Sequence, residues 1–127
     1  VRVVSKEEQE YVKKKKDSVS VFYAKDIYNN DDWNDQAIET LEDYVYITLD
    51  VDGFDVSIMP ATGTPVPGGL GWYQTIDFLR KVYKERTVVG LDVVELKPNP
   101  GNDGPNFLAA NLVYKNIGFY NKYTLLS

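Results

Sequence analysis

The sequence contains no cysteine and no histidine. Without cysteine there are no disulfide staples, no zinc–thiolate sites and no thiol nucleophile. That composition fits a reducing cytoplasm. Without histidine, the commonest general base and the commonest metal ligand are both missing. Catalysis by this chain alone would have to rest on carboxylates, lysines or tyrosines. Long apolar runs are also absent. No segment approaches the roughly 18 apolar residues that a membrane span needs, so no membrane partner is expected. Basic charge is scarce: 14 Lys and Arg stand against 19 Asp and Glu, a net charge of -5. A nucleic-acid backbone requires a basic face, so nucleic acid is not expected as a partner either. The one basic run, Lys13 to Lys16, sits among Glu7, Glu8, Glu10 and Asp17 and reads as the solvated end of a helix. The first residue is not methionine, and no signal-peptide pattern follows it. The opening Val1-Arg2-Val3-Val4 reads like the last residues of a strand, as though an element had been cut.

The 127 residues, 43% apolar and 26% charged, suit one compact domain. Ser5 with Glu8 makes a capping box, Val4 can act as the staple residue, and the lysines fall at the end of the first helix, where its dipole favours them. Val19 to Tyr23 is a short β-rich run, and a polar loop through Asn29, Asn30, Asp31 and Asp32 leads to a second helix around Ala37, Ile38 and Leu41. A strand over Tyr44 to Leu49 runs straight into Asp50-Val51-Asp52, and a Gly/Pro loop spans Gly53 to Gly71. Trp72, Ile76, Leu79 and Tyr83 repeat at helical spacing. Thr87 to Leu96 is an apolar strand closing on a carboxylate, and a second Pro/Gly/Asn loop, Lys97 to Gly104, precedes Pro105 at the start of a last helix. That helix is apolar nearly all round, which predicts thorough burial. Four strands alternating with four helices predict an α/β fold with a parallel sheet between helix layers.

In open parallel sheets, ligands bind beyond the carboxyl ends of the strands. Asp50 and Asp52 stand at one such end, two apart, so both would point the same way in extended backbone. Glu95 closes the other long strand. Carboxylates gathered at one edge repel, and something cationic is expected between them. A strand end followed by an Asx-type turn is the plainer reading of the Asp pair. An EF-hand starting at Asp50 fails, because Phe54, Asp55 and Ala61 stand where an oxygen ligand, a glycine and a glutamate are required. The glycines from Gly63 to Gly71 lack the Gly-Lys-Ser/Thr ending of a P-loop, and Gln74 occupies the third glycine position of G-x-G-x-x-G. They read instead as a shaped loop that can wall a site.

Three coupled blocks carry a family resemblance. Ile47-Thr48-Leu49-Asp50-Val51-Asp52-Gly53-Phe54-Asp55 is followed by Met59-Pro60-Ala61-Thr62-Gly63-Thr64-Pro65 and Pro67-Gly68-Gly69-Leu70. Val89-Gly90-Leu91-Asp92-Val93-Val94-Glu95-Leu96-Lys97-Pro98 comes next, and Leu108-Ala109-Ala110-Asn111-Leu112-Val113-Tyr114 closes the set. In this order they resemble the C-terminal half of the ureohydrolases, the family of arginase, agmatinase, guanidinobutyrase and formimidoylglutamase. The resemblance implies an arginase-like three-layer αβα fold, of which residues 1–127 form the C-terminal part of a single domain. It implies two Mn2+ ions in the complete site, with Asp50 bridging them, Asp52 binding one, and Asp55 supporting the turn. Thr64 and Glu95 would line the substrate side, Glu95 pairing with a guanidinium. Hard cations that lower the proton affinity of water suit attack on a guanidinium carbon, and a carboxylate fork suits the planar guanidinium itself.

This sequence departs from the family in having Val56 where proline usually follows the third Asp. The family's Asp-Ala-His-x-Asp and Gly-Gly-Asp-His blocks and its catalytic histidine do not occur here. They belong to an upstream half, which the resemblance implies as a partner and which would also place a strand between strands of this chain. The intact protein is expected to be a cytoplasmic, homo-oligomeric enzyme releasing urea from a small guanidinium substrate, agmatine before arginine on the Pro-Gly-Gly-Leu and Glu-Leu-Lys-Pro-Asn-Pro surroundings. This chain alone is expected to be inactive and to bind manganese weakly. The alternative is a non-catalytic module of the same fold that binds a partner. A deacetylase-like relative is disfavoured by the Gly-Thr-Pro and Glu95 blocks.

Overall fold

The computed structural model describes residues 1–126. Its elements in chain order are α1 (Lys6–Lys14), α2 (Ala24–Tyr28), α3 (Trp33–Glu39), β1 (Tyr44–Asp50), α4 (Trp72–Glu85), β2 (Thr87–Val94) and α5 (Gly104–Tyr120). A 3-10 turn, Val51–Gly53, follows β1 directly. The capping box at α1 forms as expected: Ser5 Oγ accepts the Glu8 N–H, and the Ser5 N–H returns a bond to Glu8 Oε2 at 2.6 Å. No residue of α1 is buried, in keeping with its charged sequence.

β1 and β2 pair in parallel, with Asp50 opposite Val94. The register slips between Val45 and Tyr46, so that Val45 faces Val88 while Tyr46 faces Gly90. Val89 is thereby bulged out. A side chain at residue 90 would meet the Tyr46 ring at 2.6 Å, which is why glycine stands there: it leaves room for the ring on the neighbouring strand. Beyond the bulge, Ile47, Leu49 and Val93 face one side and join Val51, Phe54, Met59, Ile76, Leu79 and Leu112 in the main core. A second cluster, Ile38, Val82, Tyr83 and Val88, packs Val45 and Phe119 at the other end of the sheet. Both clusters lie on the α4–α5 side.

Two expectations are corrected. Val19 to Tyr23 is extended but belongs to no sheet among the described residues. A strand exists only in a ladder, and here the Val1 amino group donates to Phe22 O at 2.9 Å while the Ala24 N–H donates to Val1 O at 3.0 Å, without a ladder forming. Val1 to Val4 joins no sheet either, so the sheet among the described residues has two strands rather than the four counted from the sequence. The last helix is not buried all round. α5 buries Pro105, Ala109, Leu112 and Asn116 but leaves Phe107 68%, Tyr114 72% and Ile117 59% exposed. One face meets α4 and β2, and no element among the described residues covers the other.

Candidate active site

The carboxyl end of β1 is built by Asp50. Its backbone is extended, and its Oδ1 accepts the Asp52 N–H at 2.8 Å, closing the 3-10 turn beneath it. Val51, fully buried, anchors that turn to the core. Asp50 and Asp52 are therefore not successive residues of one extended strand, as their spacing suggested. The Asx turn bends the chain between them, because an Asp side chain satisfies the N–H two residues on more cheaply than open strand does.

Asp52 Oδ2 accepts the Thr64 hydroxyl at 2.6 Å. The Thr62 hydroxyl, and then that of Thr64, hold the Asp52 carboxyl below its usual range, and the charge of Arg2 adds to the effect. Of the two threonines only Thr64 completes a bond of good geometry. Thr62 Oγ1 and Asp52 Oδ1 are both buried without a partner among the described residues. The Thr62 hydroxyl lies close enough to act on the carboxylate without completing a full bond, so Asp52 Oδ1 keeps capacity for a further partner. Asp50, Asp52 and Thr64 line one cavity of about 630 Å³, shared with Arg2 and the apolar side chains Val3, Ile27, Val66 and Leu70.

The Gly53–Gly71 loop forms the wall that the sequence suggested. Asp55 is its centre: Oδ1 takes the Ser57 N–H and hydroxyl, and Oδ2 takes the N–H groups of Gly68 and Gly69. These donors, the Ser57 hydroxyl foremost, lower the Asp55 carboxyl to about 2. Backbone bonds between Asp55 and Leu70, and between Leu70 and Gly53, tie the two limbs together. Any side chain at residue 69 would sit 2.3 Å from the Phe54 carbonyl carbon, so only glycine permits this approach. Val56, in place of proline, does not disturb the closure.

Glu95 follows β2 by one residue and stands just beyond the Asp50–Val94 pair. It is the one non-glycine residue with positive φ among the described residues, at 66°. Such backbone costs roughly 1–3 kcal/mol and tends to collect at functional positions. Its side chain is exposed and does not line the cavity around the Asp pair. The structure thus joins Asp50, Asp52 and Thr64 in one cavity and sets Glu95 on the adjoining strand end.

Carboxylate and hydroxyl oxygens suit a hard divalent cation, and the Asp52 carboxylate fits one. The fit is a share of a site: among the described residues no three potential ligands of the Asp, Glu, His or Cys type gather. Arg2 is the residue that sequence reasoning missed. Its signal was a lone cation inside an apolar extended stub, a place where charge is rarely kept without a bonding role.

Comparison with known proteins closes the description. A family model described as "Arginase family" matches residues 1–118. The chain is 37% identical over 121 residues to the N(1)-aminopropylagmatine ureohydrolase of Synechocystis sp., covering 94% of this chain and 39% of that enzyme. It is 45% identical over 104 residues to an enzyme of the same name from Thermus thermophilus, covering 82% of this chain and 35% of that one. The solved agmatine ureohydrolase of Thermoplasma volcanium superposes with a TM-score of 0.77 at 32% identity, over 97% of this chain and 42% of that structure. The chain therefore spans between a third and a little over two fifths of the length of the proteins it matches.

Proposed function

The chain belongs to the arginase family, and from that premise we propose that the complete protein is a binuclear manganese ureohydrolase to which this chain contributes the C-terminal share of the active site. The observation that carries the reading is the Asp52 carboxylate, with an oxygen short of a full bond, set beside Asp50 in a cavity at the carboxyl edge of a parallel sheet. Asp50 and Asp52 would hold the manganese. Bound manganese supplies Lewis acidity and lowers the proton affinity of water. Asp55 and the Asx turn keep the Asp pair in place. Glu95 receives the planar guanidinium of the substrate, and Thr64 orients Asp52 on the substrate side.

The substrate is an amine-bearing guanidine: agmatine, or its N1-aminopropyl derivative as in the relatives' names. The remaining ligands and the proton donor come from the rest of the family fold, the partner this chain requires. The reading includes no nucleic-acid or membrane partner. No helix among the described residues is long and apolar enough to cross a membrane. A cytoplasmic homo-oligomer is the expected setting.

The test uses the complete protein with manganese, assayed for urea from agmatine, N1-aminopropylagmatine and arginine. Glu95→Gln should retain its metal and lose roughly 2–5 kcal/mol of transition-state stabilisation, the usual cost of breaking a desolvated charge pair. Asp50→Asn should lose metal. No urea from any of the three substrates, with no metal uptake, would favour the rival reading of a non-catalytic module.

A further inference from the structure

We propose that Arg2 is a positioning residue for the Asp50–Asp52 pair, its guanidinium fixing the backbone on which Asp52 stands. The inference rests on the reading of Asp52 as a metal ligand. Arg2 is half-buried and lines the same cavity. One of its terminal nitrogens donates to Asp52 O, and the other to Phe54 O at 3.2 Å and to Val66 O. Phe54 and Val66 lie on opposite limbs of the Gly53–Gly71 loop and Asp52 immediately before it, and no backbone N–H among the described residues donates to their carbonyls. Irregular backbone away from a ladder needs such a donor.

Two opposite charges thus divide the work of holding the loop. The Asp55 carboxylate collects N–H groups from Ser57, Gly68 and Gly69, while Arg2 collects carbonyls. Asp52 is the residue between them. Its Oδ2 is held by Thr64 and its carbonyl by Arg2, which leaves Oδ1, beside the Thr62 hydroxyl, as the oxygen with capacity for a further partner. A planar fork with donors on several edges can serve three carbonyls at once, whereas a lysine ammonium on a flexible stem cannot hold that geometry. The guanidinium is itself a cation near the metal position and opposes the metal's charge. Its service is therefore geometric, and it acts through Asp52 rather than on the reacting atoms.

The experiment compares Arg2→Ala, Arg2→Lys and Asp52→Asn in the complete protein. Manganese is titrated calorimetrically into each metal-free protein well below its unfolding temperature, and KM and kcat are then measured at saturating metal. A role confined to stability would lower the unfolding temperature and leave the affinity of folded molecules untouched. Arg2→Ala should weaken manganese binding by roughly 10–100-fold, the range for residues that orient ligands. Arg2→Lys should fall between Arg2→Ala and the parent, and KM should stay at the parental value once metal saturates. Parental or tighter manganese affinity in Arg2→Lys or Arg2→Ala, with affinity lost in Asp52→Asn, overturns the role of Arg2. If Arg2→Ala does not fold, Arg2→Lys decides alone. Parental affinity in Asp52→Asn overturns the ligand reading itself.

Discussion

Alternate residues of β1 and β2 make two faces that end in opposite states. Val45, Ile47 and Leu49 pack on α4 and α5 through two buried clusters. Tyr44, Tyr46, Thr48 and Asp50, each one residue away, face outward and are exposed. Opposite them Asp92 takes the Tyr46 hydroxyl at 2.9 Å and the Thr48 hydroxyl at 2.6 Å. The inner face is an ordinary protein interior. The outer one carries two large tyrosines and Val94 with no layer over them among the described residues, as does the open side of α5. Parallel sheets are normally covered on both faces. Burial here follows which elements are present among the described residues.

Chemical denaturation of the 127-residue chain should separate the two faces most strongly. Leu112, fully buried, is expected to cost about 2–5 kcal/mol as Leu112→Ala, through lost transfer energy and the cavity left behind. Tyr44→Ser on the open face should change stability by less than about 0.5 kcal/mol. In the complete protein the Tyr44→Ser cost should rise well above that figure as the face is covered. Equal costs in the two settings would break the comparison.

The two strand ends differ in the same spirit. Asp50 is tied into a bonded turn, whereas Glu95 holds a left-handed backbone. Glu95→Gly should stabilise the fold by about 1 kcal/mol, part of the roughly 1–2 kcal/mol that this backbone costs a residue with a Cβ, since glycine also loses more freedom on folding. The same variant should lose kcat/KM in the urea assay. Destabilisation by this substitution would show that no strain is stored there.

The smallest effect concerns acid. Asp55 has a folded value of about 2 against an ordinary 3.8, so the folded state binds its proton less tightly than the unfolded chain. Its contribution to stability is present above about pH 4 and is lost as pH falls towards about pH 2. Thermal unfolding of the parent and of Asp55→Asn should converge across that window. A constant gap between them would contradict the role of the carboxylate as the loop's acceptor.

Local signals read well from the sequence. The α1 capping box needs only Ser5 and Glu8, and β1, β2 and α4 follow from their periods. The blocks around Asp50, Thr64 and Glu95 carried the family over nearly the whole chain. Features that depend on distant partners did not read. Val19 to Tyr23 has strand composition, yet pairing is decided by a neighbour and not by composition. The exposed side of α5 is apolar, and the pattern cannot say whether anything lies against it. The Asx turn between Asp50 and Asp52, the plainer reading of the pair, coexists with the cavity they line. Arg2 acts across 50 residues or more, a span over which sequence spacing carries no signal.

The central claim is that this chain holds part of an active site. Its most direct test is urea release from agmatine, N1-aminopropylagmatine and arginine in the presence of manganese, by the purified 127-residue chain alone and with the complementary part of the family fold added in trans. Two carboxylates and a guanidinium anchor lack the further ligands and the proton donor that hydrolysis needs. The account predicts no urea above a metal-only blank from the chain alone, and turnover when the complement is supplied. Turnover by the chain alone would contradict it.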